Sequence, residues 1–270
     1  MRTSMRGWAP GLVVLGLALG GCGDEDEGGA ARTDGELAPM SAPGPAVEGT
    51  LTVFAAASLT DAFEELGAAF EQAQPNVTVR FNFAGSSSLR EQILGGAPAD
   101  VFASANAANM EQVIDGGEAT DSEVFAANEL QIAVPPGNPA GITGLEDFGN
   151  GGLLLGLCAE EVPCGQLALE ALGMAGVAPD IDTTATDVRA LLTQIETGDL
   201  DAGIVYRTDV LAAGDTIAGV DIPAAANVVA EYPLAALTRT DNPDAGAAFV
   251  AFVLGDEGQA ILASYGFDGA

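Results

Sequence analysis

Residues 80–92 read RFNFAGSSSLREQ: a short alternating run, a glycine, three serines and the opening of an amphipathic segment. The alternation predicts a strand over 77–83, and the periodicity a helix over 89–94. Residues 54–61, FAAASLTD, have the same grammar. There a strand over 51–55 gives way to small residues, a serine and a helix over 59–71, with Ala62, Phe63, Leu66 and Phe70 on one face. The first N–H groups of a helix have no partner within it and sit at the positive end of its dipole. Two serine-tipped strand-to-helix turns are therefore natural sites for anions.

Outward from these turns the same alternation runs on. Short strands are expected at 100–103, 130–134, 153–157 and 202–206, with two more near 216–220 and 228–237. Helices are expected through 110–114, 166–172, 188–196, 243–254 and 256–264. Strands alternating with helices argue for an α/β fold with mixed sheets covered by helices on both faces. The number of units fits two lobes better than one. In open α/β sheets a ligand sits at the carboxyl ends of the strands. The chain is expected to cross to its second lobe near 128–130 and return near 231–233. That assigns 49–128 and 232–270 to lobe 1 and 129–231 to lobe 2.

Composition narrows the partners. Eight arginines and no lysine stand against 39 acidic residues, a net charge of −31. Nucleic acid is excluded as a partner, since its phosphates call for clustered Lys and Arg. The chain has no histidine, which removes Ser-His-Asp and Cys-His catalysis and most zinc sites. A serine hydrolase built on Gly85-Ser86-Ser87-Ser88 would lack both a histidine base and a lysine for a Ser-Lys pair. No enzymatic activity is expected.

The N-terminus reads as an export signal. Arg2 and Arg6 precede an apolar run over 8–19 too short to span a bilayer, and Leu19-Gly20-Gly21-Cys22 follows. L-G-G-C resembles the bacterial lipobox, which implies a lipoprotein signal peptide over 1–21 and a lipid on Cys22, with ordinary secretion as the alternative. Residues 22–48, rich in Gly, Pro, Ala and acid, predict a disordered acidic tether. The expected location is the extracytoplasmic face of the cell membrane. In that oxidising compartment Cys158 and Cys164, six apart, are candidate disulfide partners, the alternative being two free buried thiols.

Further helix starts repeat the anion-binding grammar. Ser58 and Ser88 each open a loose capping box, with Asp61 and Glu91 three residues on. Ser86 and Ser87 then stand ahead of their helix with free hydroxyls. Pro163 suits a first helical position and leaves the Cys164 N–H as an orphan donor. Thr186 reads as an N-cap, leaving the Val188 N–H free. Tyr206 ends a strand and offers a phenol. Singly, each of these has a structural explanation as a cap or as packing.

Together they resemble a known family. FAAASLTDA (54–62), FAGSSSLREQI (83–93) and GAPADVFASA (96–105) closely resemble the periplasmic molybdate-binding proteins of ABC transporters. The resemblance continues through VPCG (162–165), TDVR (186–189), GIVY (203–206), EYP (231–233) and YGF (265–267). It implies the two-lobed type II periplasmic-binding-protein fold, in which two hinge strands join the lobes and the cleft between them closes on a tetrahedral oxyanion. The binding groups it implies are Ser58 and Ser86, the backbone N–H groups of Cys164 and Val188, and the Tyr206 hydroxyl. Two departures stand out. Cys164 replaces a usual alanine, and Gly85 stands where serine is common, which makes Ser87 the alternative to Ser86. The function implied is capture of molybdate or tungstate by a monomeric lipid-anchored receptor for an ABC permease. Molybdenum enters only as bound molybdate, and no cofactor is expected. A receptor for another tetrahedral oxyanion such as sulfate is the alternative.

Overall fold

The computed structural model describes residues 47–269. The expected signal peptide, Cys22 and nearly all of the tether lie outside the described residues. Val47, assigned to the tether above, is buried in the core, and its N–H donates to the Gln74 side chain at 3.4 Å.

Strand β1 (Gly49–Ala56) passes through a 3-10 turn into α1 (Thr60–Ala73), and β2 (Val77–Ala84) leads into α2 (Ser86–Leu94). Next come β3 (Val101–Ala103), α3 (Ala107–Asp115) and the long β4 (Glu123–Val134). Three further strand–helix units follow: β5 (Leu155–Cys158) with α4 (Pro163–Met174), β6 (Thr183–Ala185) with α5 (Val188–Glu196), and β7 (Ala202–Tyr206) with α6 (Arg207–Ala213). The chain closes with β8 (Ala218–Asp221), β9 (Val229–Ala236), α7 (Pro243–Leu254) and α8 (Asp256–Ser264).

The strands run in the order β2-β1-β3-β9-β4-β7-β5-β6, with β8 pairing β4 off that path. Strand β4 belongs to both halves of this mixed sheet. From Glu123 to Glu129 it pairs antiparallel with β9, and from Leu130 onward with β7 and β8. Asn227 clips the changeover, accepting the Leu130 N–H at 3.1 Å and donating to the Leu130 carbonyl at 2.9 Å. On one side β1 lies parallel to β2 and β3, and on the other β5 lies parallel to β6 and β7. In both halves the parallel strands carry their helices after their carboxyl ends. This is the mixed α/β architecture, strands alternating with helices, expected from the alternation.

Apolar periodicity explains the helices that cover the sheet. Val188, Leu191, Leu192 and Ile195 form a buried stripe at i, i+3, i+4 and i+7 along α5. Phe63 on α1 sets its ring edge-on to Phe81, Phe125 and Phe249, with centroids 5.7–6.2 Å away. Truncating it to alanine would cost about 3–5 kcal/mol. A second cluster of Phe54, Leu89, Phe102, Met110 and Leu237 lies beneath α2 and α3. The expected strand over 130–134 is the last five residues of β4, whose first residues alternate too irregularly to announce it. Helix α6 was not anticipated, because Arg207-Thr208-Asp209 offers no apolar stripe.

Candidate anion-binding site

The carboxyl ends of β1, β2, β5, β6 and β7 meet at a small cavity of about 10 Å³ between the two halves of the sheet. Ser58, Ser86, Cys164, Val188 and Tyr206 all line it, with Ala56, Ala57, Gly85, Ala105, Val162, Pro163 and Asp187 between them. Of these twelve residues only Asp187 is more than marginally exposed, so a guest would be held out of water. Ser87 faces an outer groove instead, beside Ser88, Arg90 and Glu161. The alternative to Ser86 is therefore not in the cavity.

The local chemistry at three helix starts differs from the capping pattern read in the sequence. Ser58 caps nothing: it sits in the 3-10 turn Ala57–Leu59, and its hydroxyl lies 3.0 Å from the Tyr232 hydroxyl. Helix α2 begins at Ser86 rather than 89, with Gly85 as N-cap and the Leu89 N–H donating to the Gly85 carbonyl at 3.1 Å. Ser88 is thus an exposed residue within the helix, not its cap. The Ser86 hydroxyl accepts the Ala105 N–H at 3.0 Å, a tertiary contact that fixes the earlier start. At α5 the cap is Asp187, whose carboxylate accepts the Ala190 N–H at 2.9 Å. A carboxylate next to the positive end of a helix outcompetes the neighbouring Thr186 hydroxyl for that place.

The result is a ring of donors. Ser86 and Val188 are first residues of their helices and Cys164 is a second residue, so none of their N–H groups has an acceptor within the helix. With one lone pair taken by the Ala105 N–H, the Ser86 hydroxyl still has its proton to donate. Cys164 is disulfide-bonded to Cys158, which ties the first turn of α4 to the end of β5. Gly165 completes that turn, since a Cβ there would collide with the Ala159 carbonyl. Across the cavity mouth, a Cβ on Gly85 would stand 2.8 Å from the Thr186 carbonyl oxygen. Glycine at 85 lets the two halves come this close.

No cationic side chain lines the cavity among the described residues. Its one carboxylate, Asp187, is engaged in capping α5. No group of three or more metal-ligating side chains is present among the described residues either. Burial raises the Tyr206 phenol well above its ordinary pKa, so it stays protonated, and its oxygen has no partner among the described residues. The site therefore presents neutral, oriented donors, suited to a fully deprotonated oxyanion.

A layer of buried polar groups stands behind these donors, and the residue-level reading had assigned it no role. Tyr232, wholly buried on β9, lies against both Ser58 and Tyr206, with the two phenol ring centroids 5.9 Å apart. Asn128 donates to the Thr208 hydroxyl at 2.7 Å and accepts the Glu129 N–H at 2.9 Å. Asp209 accepts the Tyr206 N–H at 3.1 Å, and burial pushes its carboxyl up to about 7. The signal was present in EYP (231–233) and in the aspartate three residues after Tyr206, but each needs a partner far away in the chain.

A family model described as bacterial extracellular solute-binding protein matches residues 51–268. Molybdate-binding protein ModA of Mycobacterium tuberculosis is 38% identical over 236 residues, which cover 86% of this chain and 90% of that protein. A Bacillus subtilis protein named putative ABC transporter substrate-binding lipoprotein YvgL is 30% identical, covering 81% of this chain and 86% of its own length. Among solved structures, the substrate-binding domain of a putative molybdenum ABC transporter from Clostridium difficile superposes with a TM-score of 0.62 at 26% identity, covering 82% of this chain and 99% of that one. The periplasmic molybdate-binding protein of Azotobacter vinelandii has the same fold, with a TM-score of 0.68 at 22% identity over 80% of this chain and 98% of that one. The chain belongs to the bacterial extracellular solute-binding proteins.

Proposed function

We propose that this solute-binding protein captures molybdate or tungstate outside the cytoplasm and delivers it to an ABC permease, held at the membrane by a lipid on Cys22. One observation carries the reading: five donors from both halves of the sheet converge on one cavity whose lining, among the described residues, includes no cationic side chain and no unengaged carboxylate. Hydrogen bonds to a charged group contribute about 1.5–3 kcal/mol each. Several together offset the dehydration of a dianion, although such terms do not simply add. Neutral donors also select against a guest that carries a proton. Phosphate at neutral pH brings a proton in need of an acceptor, whereas molybdate and tungstate bring none.

In this reading residues 49–128 with 232–270 and residues 129–231 are two lobes, and the change of partners along β4 with the facing part of β9 is the hinge. The protein binds and releases without altering its guest. Calorimetry of the mature protein with molybdate, tungstate, sulfate and phosphate tests the proposal. Molybdate and tungstate should bind tightly and phosphate not at all. Sulfate binding more tightly than molybdate would transfer the function to sulfate capture.

A further inference from the structure

Three charged residues adjoin the cavity without lining it. Asp61 lies three residues after Ser58 in the first turn of α1, Arg189 directly follows Val188 on α5, and Asp209 lies three residues after Tyr206. Arg189 reaches across from α5 to form an ion pair with Asp61, joining the two halves of the sheet outside the cavity. Within its own half, its Nε faces the Asp209 carboxylate at 3.9 Å, too far for a hydrogen bond. Both atoms are buried, and neither has a hydrogen-bond partner among the described residues. A buried donor and a buried acceptor thus face one another unpaired, while the rest of the guanidinium is drawn toward Asp61.

Buried polar groups are nearly always satisfied, and an unpaired pair held just out of reach carries a cost. Parting the two halves removes Asp61 and leaves the guanidinium next to Asp209, so opening replaces an ion pair between the halves with one inside a single half. We infer that Arg189 is a latch that changes partners on opening: Asp61 holds the closed, ligand-bound form, and Asp209 draws the same arginine toward the open form. The two carboxylates act in opposite directions on one cation, and together they set how long a captured oxyanion stays. Arg189 is a positioning residue in this account, since it reaches the ligand only through the closure it governs. The inference rests on the oxyanion-capture reading above.

Asp61→Asn and Asp209→Asn test it at pH 9, where both carboxyls are ionised in the parent and each variant removes a single negative charge from the same region. Long-range repulsion of an incoming dianion changes equally in both, so opposite effects cannot come from net charge. Stopped-flow measurement of molybdate association and dissociation is the readout. The Asp61–Arg189 pair is partly solvent-exposed, so Asp61→Asn should speed dissociation by only about threefold to fivefold. Asp209→Asn should slow dissociation by about twofold or more, as the competing ion pair of the open form is lost. Arg189→Gln removes both pairs at once, so its dissociation rate should fall between those of the parent and Asp61→Asn, and adding Asp61→Asn to it should change nothing further. These two do not depend on the buried Asp209 variant folding. Equal dissociation from Asp61→Asn and the parent, or faster dissociation from Asp209→Asn, would overturn the latch. A parent that binds molybdate while its variants behave alike defeats the latch alone; a parent that binds none of the four oxyanions defeats both proposals.

Discussion

The hydroxyls of Ser58 and Tyr232, 174 residues apart in the chain, meet at 3.0 Å in the buried wall of the cavity. If Ser58 is to donate its proton to an anion, its oxygen must accept from Tyr232. The phenol then fixes the direction of the serine proton without touching the guest. Tyr232→Phe should therefore weaken molybdate binding by roughly tenfold while lowering stability by no more than about 1 kcal/mol. Calorimetry paired with urea unfolding measures both, and undiminished affinity would remove Tyr232 from the site.

The two serines at α2 separate binding from folding. Ser86→Ala removes a hydroxyl aimed into the cavity and should cost about 10-fold to 100-fold in affinity. Ser88→Ala changes an exposed residue inside the helix and should alter neither affinity nor melting temperature noticeably. A loss of binding from Ser88→Ala with none from Ser86→Ala would mean that the helix starts later in solution.

The disulfide should stabilise without being required for recognition. Cys158→Ala with Cys164→Ala keeps the N–H at position 164, so molybdate should still bind, and unfolding free energy should fall by about 2 kcal/mol. Thiol counting on the unfolded, unreduced parent should find no free sulfhydryl from this pair. Two free thiols there would refute the bridge.

Asp209 gives stability an uncommon pH dependence. Burial raises its carboxyl from 3.8 to about 7, against the lowering pull of Arg189 and the Tyr206 N–H, with Asp187 adding to the rise. A carboxyl whose pKa rises on folding contributes fully below its unfolded value, and that contribution is lost as pH rises through its folded value. Between about pH 4 and pH 7 the parent should lose up to roughly 4 kcal/mol that Asp209→Asn does not lose. Melting curves of both proteins from pH 5 to pH 8 should therefore draw apart as pH rises, to the disadvantage of the parent. Parallel curves would mean that the carboxyl titrates normally.

Salt should speed capture. Cleavage before Cys22 would leave six arginines against 39 acids, a net charge of −33. A dianion approaching that field is repelled, and salt shortens the reach of the repulsion from about 10 Å at 0.1 M to about 3 Å at 1 M. The association rate for molybdate should rise across that range while the dissociation rate changes little. An association rate that falls steeply with salt would instead point to attraction by Arg90, Arg189 or Arg207, each within four residues of one that lines the cavity.

The parts of this molecule that could be read from its residues are those whose causes are local. The buried stripe of α5 lies within nine residues, and that helix was expected over the span it occupies. Four of the cavity residues stood out as helix starts with free donors and Tyr206 as a phenol at a strand end, while the resemblance to a family is what grouped the five. The caps were misread where a distant contact decides between neighbouring acceptors. Ser86 begins α2 because its hydroxyl meets Ala105, which no pattern within residues 80–92 reveals. Asp187 displaced Thr186 through charge, and that competition could have been judged from the sequence. Tyr232 and Asp209 were passed over because their meaning depends on Ser58, Tyr206 and Arg189, which only the folded sheet brings beside them.

Strand β4 changes partners at Leu130, and that single junction has a mechanical consequence. Ser58 and Ser86 are carried on one side of it, Cys164, Val188 and Tyr206 on the other. Neither side holds enough of the ring to keep a dianion by itself. If this junction is the hinge proposed above, bending it would withdraw three donors in one stroke and leave a bound ion on two hydroxyl-bearing turns in contact with water. Unloading by that route would call for no competing anion, no proton and no covalent change, only a shift in how the two sides of β4 sit.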